Sequence, residues 1–263
     1  MDAPWCIHLS HERLRGLAAG LLTYLGHATT LIELDGTRVL TDPVLRKRIG
    51  HIRRLVPVPE FERNVDAVLL SHSHHDHLDL PSLRDLPIGA PVIAPHGVAA
   101  LIGRRTGHET IAVSPGDHVR VKSLDVVVTE AVHDGRRTPW GEDLGSVGFV
   151  VEGGARVYFA GDTDLFDGMR GLAEGIDVAL LPVWGWGPRV EAGHLDPERA
   201  AQAAGLLEPK VAVPIHWGTL AGPRVWWRDD PGLPAREFER FAALHAPGVT
   251  VRTLAPGTAM PIP

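Results

Sequence analysis

The stretch that most constrains this chain is His72-Ser73-His74-His75-Asp76-His77. Four imidazoles and one carboxylate within six residues are a costly concentration of polar groups for a packed fold. They follow an apolar run, Val65 to Leu70, in which Asp66 is the only charge. Such a run reads as a strand, and a strand that ends in this cluster delivers it to one edge of a sheet. Histidine and aspartate together suit zinc, iron or manganese, with no thiolate required. A solvated histidine-rich loop is the plain alternative, but the spacing and the residues downstream argue against it.

With 263 residues the chain reads as one domain spanning 1–263 and long enough to bury a sizeable core. A net charge of −6 gives no basic footprint for nucleic acid and no polybasic membrane patch. The single cysteine, Cys6, rules out an internal disulfide framework and fits a reducing compartment. No apolar run approaches the roughly 18 residues of a membrane span. Leu14 to Leu25 contains Arg15 and lacks a signal-peptide layout. A cytoplasmic protein without stable membrane insertion is expected, and a homo-oligomer is compatible with the sequence.

Glycine and proline punctuate many short elements. Gly20 to Leu25 and Thr29 to Leu34 read as strands, Asp35-Gly36 as a hairpin turn, and Thr37 to Thr41 as the returning strand. Arg46 to Arg54 is rich in basic residues and reads as a solvated loop or short helix, or else as an anion-binding lip near a site. Strands are expected at Asp66–Leu70, Pro91–Ala94, in two pieces over Val119–Val132, and in a hairpin formed by Gly145–Val151 and Ala155–Ala160. Further strands are expected at Asp177–Leu181, Val211–Ile215 and, last, Val249–Leu254. Helices are expected at Asp79–Leu86, Gly97–Gly103, Leu165–Ala173, Pro197–Leu207 and Ala235–His245. The helix from Pro197 has Asp196 as cap and proline at its first position. A meander followed by strands alternating with helices, twice over, suggests two sheets with helices outside.

His72, His133, Asp162 and His216 each follow a strand-like run. Ends of strands can converge on one edge of a layered sheet structure. One histidine in such a place is more often a satisfied structural residue. Four residues so placed, with Gly161 beside Asp162 and Gly218 close behind His216, favour a metal site.

These motifs resemble those of the metallo-β-lactamase superfamily of dinuclear metallohydrolases. The likeness runs from about Tyr24 to His216 and is carried by the histidine cluster, His133, Gly161-Asp162-Thr163-Asp164 and Pro214-Ile215-His216-Trp217-Gly218, in the family's order. Leu25-Gly26-His27-Ala28-Thr29, Thr41-Asp42-Pro43 and His194-Leu195-Asp196-Pro197-Glu198 resemble a narrower branch. That branch includes the N-acyl-phosphatidylethanolamine phospholipase D enzymes and the ascorbate-6-phosphate lactonase-like proteins. The segment Asp134-Gly135-Arg136-Arg137 departs from the aromatic-containing pattern of the phospholipases.

The resemblance implies an α/β fold, a four-layer αβ/βα sandwich of two β-sheets with helices outside. It implies two divalent ions, zinc first, with manganese or iron as alternatives. His72, His74 and His133 would hold one ion, Asp76, His77 and His216 the other, and Asp162 would bridge them, with His75 a non-ligand. The implied reaction is hydrolysis of a phosphodiester or an ester or lactone in a small molecule, by a hydroxide shared between the ions and oriented by Asp76. Asp42 would orient a ligating histidine, His194 would act as proton donor or oxyanion partner, and His27 would support the site from beneath. Trp184 and Trp186 read as a pocket wall or as core, with Trp217, Trp226 and Trp227 in the same third of the chain. Arg136, Arg137 and Arg224 are candidates for a substrate anion or plain surface charge. A non-catalytic metal binder or an iron-binding redox protein of the same fold is the alternative. All seven ligands are present, which disfavours the first, and no flavin-binding domain or thiol pair is seen, which disfavours the second.

Overall fold

A computed structural model describes residues 19–138, 140–184, 190, 192–222 and 230–263. Cys6, Trp186, Arg224, Trp226, Trp227 and the start of the Leu14–Leu25 stretch lie outside the described residues.

The chain opens with β1 (Gly20–Gly26), β2 (Thr29–Leu34) and β3 (Thr37–Thr41), an antiparallel meander. Asp35 and Gly36, both at positive φ (49° and 74°), make the tight turn that the Asp-Gly pair predicts. β4 (Arg48–Ile49) and β5 (Ile52–Arg54) follow, and form a small sheet with β15 (Leu220–Ala221). The basic segment is therefore neither a loop throughout nor a helix. Gly50 turns it at φ 56°, Ile49 pairs with Ile52, and Arg54 points inward.

β6 (Ala67–Leu69), β7 (Val92–Pro95) and β8 (Thr110–Val113) join β3 in parallel. β8 is not among the strands expected from the sequence. Between these strands lie α1 (Leu80–Arg84) and α2 (His96–Thr106). Asp79 caps α1 by accepting from Ser82 N, and Arg46 grips the same carboxylate through two bonds of 2.7 and 2.6 Å. α2 stops at Gly107, at φ 79°, rather than at Gly103.

The second half supplies β9 (His118–Val121), β10 (Leu124–Glu130), β11 (Val147–Glu152), β12 (Arg156–Phe159), β13 (Val178–Pro182) and β14 (Val211–Ile215). A 3₁₀ turn covers Asp167–Leu172, and α3 spans Pro197–Leu207. Asp196 accepts from Arg199 N at 2.8 Å, the expected cap. After α4 (Leu233–His245) come β16 (Thr250–Val251) and β17 (Ala259–Ile262). The expected last strand, Val249–Leu254, is thus only two residues long. The chain turns at Pro256-Gly257 and ends on β17, paired antiparallel with β1 at the margin of the first sheet. There the exposed Pro261 is tolerated.

One seven-stranded sheet has the order β17-β1-β2-β3-β6-β7-β8 and the other β16-β14-β13-β12-β11-β10-β9. Their facing sides share one apolar core, including Leu22, Ile32 and Leu69 against Val126, Phe149, Phe159 and Leu180. Alternation sends neighbours to the outer faces. Val68 and Leu70 pack with Leu83, Val98 and Ile102 of α1 and α2. Ala179 and Leu181 pack with Ala200, Ala203, Ala204 and Phe238 of α3 and α4. The four layers are helices, sheet, sheet, helices.

The two sheets touch at one edge through backbone as well as side chains. Val147 N donates to Ser71 O at 3.0 Å. Gly161, at φ +61°, lies so close that a Cβ there would sit 2.5 Å from Ser71 Cβ and 3.2 Å from Val147 O. Only glycine fits both that backbone and that space. Gly161→Ala is expected to destabilise the fold by roughly 1–3 kcal/mol, read as a lowered urea midpoint at unchanged m-value.

Candidate metal centre

Topology explains why distant residues meet. β3 and β6 are parallel neighbours in the first sheet, so Asp42, just after Thr41, and the histidine cluster, just after Leu70, leave from the same edge. In the second sheet β10 and β12 are both antiparallel to β11, and β12, β13 and β14 are mutually parallel. β10, β12 and β14 therefore run the same way, and His133, Asp162 and His216 emerge together at their C-terminal ends. Three residues there take left-handed backbone without being glycine: His27 (φ 59°), Asp42 (φ 31°) and His216 (φ 64°). His216 N is tied to His27 O at 2.8 Å, and Asp42 N to Leu69 O at 3.0 Å.

Hydrogen bonds at the far side of each ring decide which nitrogen faces inward. His77 Nδ1 donates to Asp42 Oδ2 at 2.6 Å, and His216 Nδ1 to the Trp184 carbonyl at 2.5 Å. His133 Nδ1 donates to Gly193 O at 2.7 Å. Ser71 Oγ gives its proton to Asp42 Oδ2 at 2.5 Å, so at 2.9 Å it accepts from His72 Nδ1. Each of these four rings therefore turns its Nε2 toward the centre.

Those nitrogens are crowded. His77 Nε2 and His216 Nε2 are 3.1 Å apart, and His133 Nε2 is 3.1 Å from His74 Nδ1. Two lone pairs at that distance repel unless a cation or a proton lies between them. Asp162 Oδ2 is 3.2 Å from His77 Nε2 and 3.3 Å from His216 Nε2, while Asp76 Oδ2 is 3.4 Å from His216 Nε2. His72 Nε2 and Asp162 Oδ1 are buried with no hydrogen-bond partner. Among the described residues the donor atoms form overlapping groups: His72 with His74 and His133, Asp76 with His77, His216 and His27, Asp42 with His72 and His77, and Asp162 with His133 and His194. An all-nitrogen-and-oxygen set with orphaned inward atoms fits divalent ions of the zinc type.

The electrostatics agree. Burial, with His77 and His133 as neighbours, pushes the His72 pKa well below the ordinary value. Burial lowers His133 to about 4. Burial opposes ionisation of Asp162 and Asp76, but the surrounding imidazoles outweigh it and hold both carboxyls well below the usual range. At His77 burial disfavours charge, yet Asp162 and Asp76 outweigh it and raise the pKa well above normal. A site that draws one positive charge onto a buried imidazole is one that a cation satisfies.

The surrounding residues sort into supports and bystanders. His27, driven down to about 3 chiefly by burial and then by His216, is neutral and donates from Nε2 to Asp76 Oδ2 at 3.0 Å. The sequence places it beneath the site, and it bonds Asp76 there as Asp42 bonds His77. His194 places Nε2 3.5 Å from Asp162 Oδ2, with its side chain 14% exposed, and its ring lies edge-on to His133 at 4.6 Å. His75 is exposed and faces away, its Nδ1 3.1 Å from Arg137 Nη2. Arg137 also donates to the carbonyls of Ser73 and Leu78. It is a clasp on the histidine loop rather than an open anion receptor, while Arg136 pairs with Asp134 at 3.1 Å. Trp217 stacks on Tyr24 and bonds Pro214 O through Nε1, a packing role.

Sequence reasoning passed over Ser71, Asp164, Gly193 and Arg199. Asp164 pairs with Arg199 and accepts from Gly193 N at 3.3 Å, and so steadies the loop whose carbonyl orients His133. The second acid of Gly161-Asp162-Thr163-Asp164 was the available signal.

Residues 37–217 match the model of the β-lactamase superfamily domain. A UPF0173 metal-dependent hydrolase of Caldivirga maquilingensis is 33% identical over 250 residues, covering 93% of this chain and 99% of the relative. Another from Opitutus terrae is 35% identical, covering 90% and 97%. The structure of Igni18, a metallo hydrolase from Ignicoccus hospitalis, superposes with a TM-score of 0.69 at 28% identity, covering 92% of this chain and 97% of that one. With a matching domain model and near-full-length relatives joined to this histidine and aspartate cluster, the chain belongs to the metallo-β-lactamase superfamily and, within it, to the UPF0173 metal-dependent hydrolase family.

Proposed function

We propose that this protein hydrolyses a phosphodiester, or a carboxylic ester or lactone, in a small and anionic substrate at a centre of two divalent ions, zinc first. One observation carries the reading: four imidazoles donate from Nδ1 to fixed acceptors and so turn Nε2 inward, where His77 and His216 meet the Asp162 carboxylate at 3.2 and 3.3 Å. His72, His74 and His133 would hold one ion, Asp76, His77 and His216 the other, and Asp162 would bridge. Such ions lower the pKa of water and offset negative charge developing on the attacked group.

The chain's own groups supply order and proton control. His27 occupies one lone pair of Asp76 Oδ2 and fixes that carboxylate's rotamer, which leaves Asp76 able to accept a proton-bearing nucleophile's hydrogen bond. Asp42, held by Ser71 N and Oγ at 2.8 and 2.5 Å, keeps His77 from rotating. His194 stands at the boundary between the buried donors and solvent, where a proton can be passed to a leaving oxygen. The choice between phosphodiester and lactone leans on the likeness of the motifs around His27, Asp42 and His194 to the phospholipase and lactonase branch.

The test is metal analysis with turnover on bis(p-nitrophenyl) phosphate and on a simple lactone. Two ions per chain with hydrolysis of either class supports the proposal. Iron with oxygen-dependent chemistry and no hydrolysis, or bound metal inert across esters, lactones and phosphodiesters, overturns it. Removal of the ions by a chelator is expected to abolish turnover, with recovery on adding zinc or manganese.

Variants locate the donors. Asp162→Ala is expected to lose activity and most of the metal, while His75→Ala keeps both. The reverse pattern would show the donors to be misassigned. Asp42→Ala is expected to weaken metal affinity by about 10–100-fold in a chelator competition, without unfolding the chain.

A further inference from the structure

Arg54 ends the basic segment, yet it is 9% exposed. No carboxylate among the described residues pairs with it. Its Nη1 donates to Val44 O at 3.0 Å and its Nη2 to Leu25 O, while its buried Nε has no hydrogen-bond partner. A guanidinium stays protonated even when burial lowers its pKa, as it does here. Burying that charge against two backbone carbonyls is costly, and surface solubility cannot account for it.

The two carbonyls belong to the segments that support one half of the site. Leu25 lies two residues before His27, which fixes Asp76, and Val44 lies two residues after Asp42, which fixes His77. Gly26 stands between, at φ +112°, and a Cβ there would come within 2.8 Å of Arg54 Nη2 and 2.7 Å of Thr219 Cγ2. A third segment joins from β15. Arg54 is paired with Leu220, Leu55 N donates to Thr219 O at 2.7 Å, and Thr219 Oγ1 accepts from His27 N at 3.0 Å. Thr219 is three residues beyond His216, whose own N is bound to His27 O.

The other half of the site has supports further from Arg54. His133 leans on Gly193, and His72 on Ser71, which also bonds Asp42 and so links the halves at one point.

We propose that Arg54 is a positioning residue for the half of the site formed by Asp76, His77 and His216: its forked guanidinium ties the Leu25 and Val44 segments to β5 and thereby fixes the geometry that half offers an ion. The proposal rests on the two-ion reading above. A lysine keeps the charge but presents a single tip, so it cannot span both carbonyls.

The experiment compares wild type with Arg54→Lys and Arg54→Met, stripped of metal and titrated with Zn²⁺ by calorimetry. Ions are counted by elemental analysis, and thermal melts confirm a cooperative fold. Wild type is expected to take two ions. Each variant is expected to keep one at wild-type affinity and to bind the other at least about tenfold more weakly. Thr219→Val, which removes the neighbouring bond from His27 N on the same side of the site without touching the buried charge, is expected to give the same split. Folded variants that bind both ions at wild-type affinity, or that weaken both equally, overturn the proposal. In a second arm, the downfield proton of His77 Nδ1 is followed by NMR in the ion-free chains, where loss in both Arg54 variants supports the proposal and retention overturns it. A wild type that takes only one ion sinks the two-ion reading instead, and the imidazole proton then decides the role of Arg54 alone.

Discussion

Two imidazole Nε2 atoms held 3.1 Å apart repel each other unless a cation or a proton lies between them, and much of the structure serves to keep them there. Each ring is prevented from turning by a hydrogen bond from its other nitrogen. For His77 the acceptor is the buried Asp42 carboxylate, and for His216 it is a backbone carbonyl at 2.5 Å. An acceptor can hold a ring only if it is itself held. Asp42 is fixed by two bonds from Ser71, and Ser71 is fixed in turn by Val147 of the other sheet. The outermost links of these chains are the backbone ladders of the two sheets, which bend far less than a side chain rotates.

That dependence gives the meeting of the sheets its place in building the site. Asp42, His72 and Asp76 hang from one sheet, and His133, Asp162 and His216 from the other. Neither sheet alone holds a complete donor set. The apolar core between them fixes their separation through residues such as Leu69 and Phe159. At the edge, Gly161 allows an approach that any side chain would block. A change that spread the sheets by a few tenths of an ångström would alter distances between donors while leaving each local hydrogen bond intact.

The residues that gather at the centre were legible in the sequence because they obey local rules. A residue at the end of an apolar, β-branched run goes to a sheet edge, and helices such as Pro197–Leu207 announce their caps. The supports were harder to read. Ser71 and Gly193 are ordinary residues whose role depends on which carbonyl or hydroxyl lies across a gap of many residues. Arg54 reads as surface charge because basic residues crowd its segment, and only the pairing of β5 with β15 turns it inward. β8 and β17 escaped for a related reason. Each is four residues long and lies at the margin of the first sheet, where pairing with a distant strand, rather than its own pattern, makes it a strand. Arg137 reads as a candidate for a substrate anion or as surface charge, and its bonds to the carbonyls of Ser73 and Leu78 instead make it a clasp.

The backbone at His27, Asp42 and His216 carries the same logic one step further. All three adopt a left-handed conformation that non-glycine residues disfavour, and all three orient or form the Asp76, His77 and His216 group. Such strain persists only where surrounding contacts over-determine it. Here the contacts are identifiable: His216 N to His27 O, His27 N to Thr219 Oγ1, and Asp42 N to Leu69 O. Relaxing any one of these residues to an ordinary strand or helical conformation would swing its side chain off the centre. The strain is therefore a consequence of placing three polar side chains on one point from three sharply turning strand ends. The packing of the two sheets and the ties at its back thus hold the Asp76, His77 and His216 group in place.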